Sequence, residues 1–465
     1  MRQLSGVDVS FLHVENSRVT GHVGGLLIVD PSTASEPITA DAVRRFYASK
    51  IHKLAPLRWQ LVNVPYGFDR PYWHEVQDPD LNYHIRGVTV PSQGSEEELV
   101  ALVSRLHARP LDRAHPLWEV YVIDGLDSGK LAIYTKLHHA AIDGKAGMAI
   151  TATVLSTSPD VEIPDMVELP PPSPVPSEAE MFTRGWNSLL SQPEKAMKLW
   201  GDVTRETQRF YSRMLTGASE WTADASPPQV APKLSFNRTI SAQRNYTFGT
   251  ASLSDVKKIK ERHNCTVNDV VMAMCTSALR RWLIDHDELP RGPLLAMVPI
   301  SIRAADASED VGNQVSSLQV ALPTNVGDPA ERLRMVSAGM RSAKETHKAL
   351  PANLLQDFTQ FTAPAAAEAV ALMAANMKWA DSATMPFNVV ISNVPGPRET
   401  LYYLGAKLEA NYPVSMITDG MGLNITVHSY RDSIDFGVVS TPEFVPDITW
   451  LRTYIIEAID ELLAL

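Results

Sequence analysis

Cysteine is scarce in this sequence: the 465 residues contain two, Cys265 and Cys275. Both lie in one apolar, helix-like stretch, where free cysteine usually packs as a small buried side chain. Two cysteines at this spacing argue against a disulfide framework and against a thiolate metal site. Because the scarcity is typical of a reducing compartment, we expect a cytoplasmic protein.

Long apolar runs and excess positive charge are also missing. The N-terminus has no apolar core of a signal peptide, and no run reaches the ~18 residues that a membrane-spanning helix requires. The net charge of −11 at pH 7 argues against nucleic acid as a partner, because phosphate contacts need a basic surface. A membrane could therefore be contacted only from its surface.

The motifs of several enzyme classes are absent as well. The chain has no Gly-x-Ser-x-Gly elbow, no P-loop and no Gly-x-Gly-x-x-Gly run after a predicted strand. It also lacks the His-Glu-x-x-His run of many zinc enzymes, so we expect no metal. The missing serine or cysteine nucleophile motif favours direct group transfer over a covalent enzyme intermediate.

Prolines cluster in one segment and divide the chain. Seven of them fall between residues 159 and 176, which forbids a regular helix or a central strand there and indicates a linker. A chain of 465 residues also exceeds the size at which single cores usually stop growing. We predict an N-terminal domain over 1–158, a proline-rich linker and helical crossover over 159–232, and a C-terminal domain over 233–465.

Apolar periodicity predicts the same mixture of elements in both halves. Apolar runs predict strands at Val23–Val29, Leu131–Leu137, Leu294–Ile302, Val315–Leu322, Asn388–Ser392, Leu423–Ser429 and Ile434–Val439. Amphipathic or apolar patterns predict helices at Glu96–His107, Lys145–Leu155, Leu253–Arg262, Val267–Leu283 (with Thr266 as N-cap) and Ile448–Leu463. We predict an α/β fold, an α+β sandwich whose halves each combine a mainly antiparallel sheet with helices.

The strongest chemical signal is the run His138-His139-Ala140-Ala141-Ile142-Asp143-Gly144. It lies between a predicted strand and a predicted helix, where a rigid support presents reactive side chains on a loop. A neutral imidazole suits acyl transfer to an alcohol, because it can accept the hydroxyl proton near neutral pH. Asp143 could orient the base or pair with a distant arginine, and Gly144 supplies tight-turn chemistry.

Two other interpretations of this run stay open from the residues alone. The histidines and the aspartate could be buried hydrogen-bonding groups without a catalytic role. Metal binding is the third interpretation. It is disfavoured because adjacent residues on a strand point to opposite faces, so His138 and His139 could not both bind one ion.

The run resembles the HHxxxDG signature of the CoA-dependent acyltransferase superfamily, which includes chloramphenicol acetyltransferase and condensation domains. Further runs resemble the bacterial wax ester synthase/diacylglycerol acyltransferase family. They are Asp8 with Phe11, His22–Gly25, Pro116–Trp118, Val267–Val271, Met297–Arg303 and Asn388–Pro397. The resemblance covers essentially the whole chain in the expected order.

This resemblance implies two chloramphenicol-acetyltransferase-like domains with a tunnel between them. Acyl-CoA, as co-substrate and without any cofactor, would enter from one side, and a lipid alcohol would enter from the other. They would meet at His139, the general base. His138 would support it, and Asp143 would be structural and paired with an arginine, for which Arg303 is a candidate.

Two further pairs of residues are candidates for the active site. Asn268 and Asp269 begin an apolar helix, where a polar helix start and a site role are equally compatible with the sequence. The resemblance implies that they line the active-site channel. Ser392 and Asn393 end a strand at a Pro-Gly-Pro turn, and Ser392 could donate a hydrogen bond to a tetrahedral oxyanion.

The function implied is transfer of a long-chain acyl group to a diacylglycerol, a fatty alcohol or both. One alternative is a condensation-like or polyketide-associated acyltransferase that acts on a carrier-bound substrate. Another is a catalytically silent protein of lipid droplets. The stretch Ser177–Leu215, with Trp186 and Trp200 among basic residues, is a candidate for contact with a membrane or lipid droplet. Packing between the domains explains it equally well.

Overall fold

The structure is a computed structural model that describes residues 1–91, 94–142, 144–161, 163–164, 167, 169, 171–172, 174–188, 190, 230–301, 315–349, 373 and 375–465. Its strands are β1 Arg2–Gln3, β2 His22–Asp30, β3 Trp59–Val62, β4 Tyr72–Glu75, β5 Ile85–Thr89, β6 Trp118–Asp124, β7 Leu131–His138, β8 Leu155–Ser156, β9 Asn245–Ser252, β10 Leu294–Ser301, β11 Val315–Leu322, β12 Val389–Val394, β13 Tyr402–Tyr403, β14 Ala406–Val414, β15 Leu423–Tyr430 and β16 Ser433–Ser440.

The helices alternate with these strands along the chain. They are α1 Gly6–His13, α2 Ala40–Lys50, α3 Leu81–His84, α4 Glu96–Ala108, α5 Gly144–Val154, α6 Leu253–Arg262, α7 Val267–Asp285, α8 Pro329–Ala349, α9 Trp379–Ser382 and α10 Ile448–Leu463. Residues 178–188 are also helical. Across the described ranges, every helix is too short or too polar to cross a lipid bilayer.

Two large sheets carry the fold. The first has seven strands in the order β5-β6-β7-β2-β14-β13-β8, and the second has six in the order β11-β10-β12-β15-β16-β9. Only β5–β6 is parallel in the first sheet, whereas β12 pairs in parallel with both β10 and β15 in the second. A small sheet of β1, β4 and β3 completes the set. The predicted mixture of mainly antiparallel sheets and helices is confirmed.

The predicted elements are found close to their expected positions. The helices predicted at 253–262 and 448–463 have those bounds in the structure, and the strand predicted at 131–137 extends by one residue to His138. Thr266 caps α7 as predicted, because its side chain accepts the Asp269 N–H. Cys275 is buried in the core around α7, and Cys265 packs at its edge, which confirms their structural role.

One strand links the two halves of the sequence. β14 lies late in the chain, yet it pairs antiparallel with β2 along most of its length. The first sheet is therefore assembled from both the early and the late part of the chain. The predicted boundaries at 158 and 232 stay a prediction, since most of the intervening segment lies outside the described residues.

The face of the first sheet that carries Tyr134 is buried against the second sheet. Its strand side chains and those of α4 form one apolar cluster with Tyr246 and Phe248 of β9. Burial of apolar area is the main favourable term in such packing. This cluster fixes the first sheet, which carries the two histidines, against the second.

Gly437 in β16 tests the contact between the sheets. A Cβ added there would lie 1.9 Å from the carbonyl oxygen of Pro413 in β14, so one backbone would have to move. Overpacking of this kind costs about 1–3 kcal/mol. We expect Gly437→Ala to lower the free energy of unfolding by that amount in a urea titration.

Gly292 provides the matched control, because a Cβ added there meets no described atom within 4 Å. Gly292→Ala should change the free energy of unfolding by less than ~0.5 kcal/mol. Equal stability of the two variants would contradict close packing of β14 on β16.

Candidate active site

The histidine pair stands at the point where β7 ends. His138 is paired with His22 across the β2–β7 ladder, and its N–H donates to Leu117 O at 2.9 Å. The next N–H, that of His139, donates to Gly21 O at 2.8 Å. Both histidines are therefore held by backbone hydrogen bonds to neighbouring segments before their side chains are considered.

The His139 ring is fixed in plane by an aromatic contact. It stacks on Phe11 with ring centroids 4.0 Å apart and an angle of 11° between the planes. Phe11 is carried by α1, which begins with a reciprocal capping box between Ser5 and Asp8. Asp8, one of the residues on which the family resemblance rests, thus starts the helix that presents Phe11.

The His139 side chain is partly exposed but lies deep among protein atoms. Burial disfavours the charged ring, and the nearby His138 acts in the same direction, so together they lower the pKa of His139 to about 4. A hydrogen bond to its own backbone opposes the shift without cancelling it. The imidazole is therefore neutral at neutral pH.

The His138 ring is buried and used in a different way. Its Nδ1 accepts the N–H of Ala140 at 3.0 Å, so the proton of the neutral ring is assigned to Nε2. Nε2 faces the Glu15 carboxylate, 3.2 Å from Oε1. Nδ1 of His138 therefore has a hydrogen-bond partner, and Nε2 lies within ion-pair distance of a carboxylate.

Glu15 is charged although it is mostly buried. Burial alone would raise the pKa of its carboxyl group, but His138, the Gly21 N–H and Arg113 outweigh burial and lower the pKa to about 2. The Gly21 N–H donates at 2.7 Å, and Arg113 Nη2 donates at 2.8 Å. This carboxylate is ionised throughout the neutral range.

The other predicted group lies in the second sheet and its helix. Asn393 Nδ2 donates to Asn268 Oδ1 at 3.0 Å, which joins the end of β12 to the start of α7. Asp269 is instead a capping residue: its carboxylate accepts from the Thr266 N–H at 2.9 Å and from the Ser337 hydroxyl at 3.1 Å. Of the two interpretations of Asp269, the helix start describes its observed contacts.

A polar chain leads from the histidines toward Ser392. His22, opposite His138, bonds through Nε2 to the carbonyl oxygen of His107 at 2.7 Å, and His107 Nε2 bonds to Ser415 O at 3.1 Å. The Ser415 hydroxyl lies 2.7 Å from that of Thr426. Thr426 is the register neighbour of Ser392 in the parallel β12–β15 pair, so this chain runs between the strand neighbours of His138 and Ser392.

Three predicted positions give less information. Gly144 is the first residue of α5, as the turn chemistry predicted. Asp143 and its candidate partner Arg303 lie outside the described residues, so their roles stay predictions. Among the residues that the structure describes, no three His, Cys, Asp or Glu side chains are grouped as metal ligands.

Sequence reasoning missed Glu15 and His107. A single acid in a loop and a histidine near the end of an amphipathic helix carry no motif, and the contacts that give each of them a role are set by the fold. Trp118, the last residue of the Pro116–Trp118 run, is buried, and its Nε1 donates to Leu57 O at 2.8 Å.

Comparison with known proteins covers nearly the whole chain. Residues 4–271 match the wax ester synthase/diacylglycerol acyltransferase catalytic domain, and residues 311–463 match the WS/DGAT C-terminal domain. A probable diacylglycerol O-acyltransferase of Mycobacterium tuberculosis is 35% identical over 98% of this chain and 97% of its own length. The O-acyltransferase WSD of Acinetobacter baylyi is 31% identical over 99% of this chain and 96% of its own length.

Solved structures give the same picture of the fold. The wax ester synthase/diacylglycerol acyltransferase from Marinobacter aquaeolei VT8 aligns over 100% of both chains with a TM-score of 0.71 and 29% identity. The first condensation domain of the calcium-dependent antibiotic synthetase aligns over 100% of this chain and 97% of its own, with a TM-score of 0.58. At 15% identity, the second likeness is one of fold alone.

Proposed function

Because the chain belongs to the wax ester synthase/diacylglycerol acyltransferase family and is an O-acyltransferase, we propose that it transfers a long-chain acyl group from acyl-CoA to a lipid alcohol. The acceptor is diacylglycerol, a fatty alcohol or both, as the names of its relatives suggest. The observation that carries the mechanism is the environment of His139, a neutral imidazole held in place by Phe11 and by Gly21 O.

His139 is the general base of this proposal. Its neighbour His138 cannot accept a proton on Nδ1 without losing the hydrogen bond from Ala140 N–H, and its Nε2 faces Glu15. Stacking on Phe11 uses the face of the His139 ring rather than its nitrogens. This geometry supports a mechanism in which His138 holds the turn and His139 exchanges the proton.

The transfer proceeds in a ternary complex. His139 accepts the proton of the acceptor hydroxyl while the oxygen attacks the thioester carbonyl carbon, which forms the C–O bond of the new ester. Collapse of the tetrahedral intermediate breaks the C–S bond. The imidazolium then returns the proton to the CoA thiolate, and its lowered pKa favours this step.

Ser392 is proposed as the hydrogen-bond donor to the oxyanion. It lies on β12 next to Asn393, whose amide bonds to Asn268, and its register neighbour Thr426 belongs to the polar chain from His138. A donor already held in place stabilises the charge that develops on the carbonyl oxygen without further reorganisation. Asn268 and Asn393 then form part of the channel wall at the start of α7.

An exposed aromatic surface favours contact with lipid. We give this name to Tyr66, Phe68, Phe182 and Trp186. Tyr66 is 77% exposed and Trp186 45%, and the Phe182 and Trp186 rings stack at 6.3 Å. Exposed aromatic clusters mark interaction sites, and Trp and Tyr favour the membrane–water interface.

The helix 178–188 is seated firmly enough to present this surface. A Cβ added at Gly185 would lie 2.7 Å from Val64 Cγ1, so the helix packs closely on the segment that precedes Tyr66. Arg184, on the same helix, is exposed and can pair with an anionic headgroup. We propose that the aromatic surface holds a cytoplasmic protein on the surface of a membrane or lipid droplet. Trp200, the other predicted contact residue, lies outside the described residues.

His139→Ala tests the catalytic proposal. Purified protein is given palmitoyl-CoA with hexadecanol or with dioleoylglycerol, and release of free thiol is measured. We expect loss of nearly all turnover with either acceptor, on the order of the 100- to 10,000-fold that general-base catalysis contributes. The thermal unfolding midpoint should stay close to that of the wild type. Near-normal turnover in this variant would refute the role of His139.

The pH dependence of kcat/KM offers a second test. Since burial keeps the pKa of His139 at about 4, the neutral base persists as the pH falls. We expect kcat/KM to hold through pH 6.5, the ordinary histidine value, and to fall only toward pH 4. Assays by brief pH jump, with intrinsic fluorescence as a check on folding, separate protonation from unfolding. An acidic limb centred near pH 6.5 in folded protein would contradict the assignment.

The aromatic surface is tested by flotation with phosphatidylcholine vesicles that contain dioleoylglycerol. The double variant Phe182→Ser/Trp186→Ser should lose most of its vesicle-bound fraction. Trp450→Ser is the matched control, because Trp450 is 51% exposed on α10, outside the aromatic surface, and this variant should float like the wild type. Equal flotation of all three proteins would reject the lipid-contact role.

A further inference from the structure

The loop between α1 and β2 places one buried acid at the centre of the histidine pair. The Glu15 side chain is 13% exposed and uses both oxygens. Oε1 accepts the Gly21 N–H and faces His138 Nε2, whereas Oε2 accepts from Arg113. The Arg113 side chain is 41% exposed, so the Oε1 side of the carboxylate is the one that faces the protein interior.

The first connection from Glu15 to His139 runs through the backbone of Gly21. The Gly21 N–H is bound by Glu15 Oε1 at 2.7 Å, and the Gly21 carbonyl oxygen accepts the His139 N–H at 2.8 Å. Glu15 therefore holds the residue to which the backbone of the base is bonded. Movement of Gly21 would move His139 with it.

The second connection runs through the His138 ring. A carboxylate facing Nε2 selects the tautomer with the proton on Nε2, which leaves Nδ1 as the acceptor. Nδ1 accepts the Ala140 N–H, and His138 O accepts the Ala141 N–H at 3.0 Å. These two bonds form the tight turn of residues 138–141, in which His139 is the second residue.

Little space is left around Gly21, so a residue with a side chain would not fit there. A Cβ added at Gly21 would lie 2.7 Å from His138 Nε2 and 2.7 Å from Phe11 O. Only glycine allows the imidazole, the α1 backbone and the Glu15 carboxylate to meet here. The same Phe11 carries the ring that stacks on His139.

We propose that Glu15 is a positioning residue for the acyl transfer: its Oε1 holds Gly21 and the Nε2–H tautomer of His138, and through them it sets the place of the His139 imidazole. This inference rests on the proposed role of His139 as the base. Glu15 acts through its neighbours and does not itself take part in the transfer of a proton or an acyl group.

Comparison of Glu15→Gln with Glu15→Met separates the effect of the hydrogen-bond acceptor from that of the side-chain volume. Glutamine keeps an acceptor oxygen for Gly21 and His138, and the exposed Arg113 can turn away from its amide. Methionine fills the same volume without an acceptor. We expect Glu15→Met to lower kcat on the order of 100-fold, the effect of a misplacement of about 1 Å, with little change in KM. Glu15→Gln should recover most of that loss.

A readout besides turnover reports the His138 ring directly. The 15N shifts of protein labelled at histidine distinguish protonation at Nε2 from protonation at Nδ1, and the His138 signals are identified by their loss in His138→Asn. We expect the wild type and Glu15→Gln to hold the Nε2–H tautomer. Glu15→Met should show a mixture of tautomers.

Glu461→Ala is the matched control for loss of a carboxylate from an ion pair with a buried cation. Glu461 pairs at 2.8 Å with Arg332, a side chain that is 3% exposed, in the core of the other half. This variant should lose stability but keep kcat and the His138 tautomer. A parallel loss of kcat in Glu461→Ala and Glu15→Met would attribute the effect to general destabilisation and overturn the proposal.

The remaining outcomes are equally decisive. Wild-type kcat or an unchanged tautomer in Glu15→Met overturns the positioning role, and failure of that variant to fold assigns Glu15 to folding instead. His139→Ala distinguishes the two proposals. Activity in His139→Ala refutes the proposed function, whereas an inactive His139→Ala beside an active Glu15→Met refutes only the role of Glu15.

Discussion

The hydrogen bond from the His139 N–H to Gly21 O extends the antiparallel β2–β7 ladder by one residue beyond its last pair, His22 with His138. A ladder fixes the register of its two strands, because a slip of one residue would turn every side chain of the strand to the opposite face of the sheet. His139 therefore takes its position from the sheet rather than from the loop that follows. Glu15, Phe11 and the turn at Ala140 refine a location that the ladder has already set.

The loop that ends at Gly21 is also attached to the other half of the chain. Arg18 Nη2 donates to Ala375 O at 2.9 Å and contacts Asp419 at 3.2 Å, and Arg244 Nη2 donates to Arg18 O at 2.7 Å. Together with β14, which the late part of the chain adds to the first sheet, these bonds tie the position of the histidines to both halves. The proposed mechanism needs such attachment, because the proposed base His139 and the proposed oxyanion donor Ser392 come from different sheets.

The parts of the fold and of the site that could be predicted from the sequence are those with a short-range sequence pattern. The strand before the histidine pair, the cap at Thr266 and the helix at 448–463 follow from short-range patterns, and the structure has them near the expected bounds. β14 was not predicted, because two of its four buried positions are the small residues Ala406 and Ala410, which makes its apolar alternation weak. Glu15 has no signature at all: its role comes from residues 6 and 123 positions away. Asp269 lay between these cases, and its observed contacts with Thr266 and Ser337 are those of a cap.

Adjacency of the two histidines explains why they differ in chemistry. Consecutive residues at the end of a strand point to opposite sides, so one imidazole enters the interior beside Glu15 while the other turns toward Phe11. The inner ring is held through Nδ1, and a proton placed on Nδ1 would break the hydrogen bond from Ala140. The outer ring is held mainly by its face and backbone, and burial keeps it neutral. A lowered pKa makes a weaker base but a stronger conjugate acid, which suits a reaction whose last step returns a proton to a departing thiolate. In the proposed mechanism, His138 therefore holds the turn in place and His139 carries the proton.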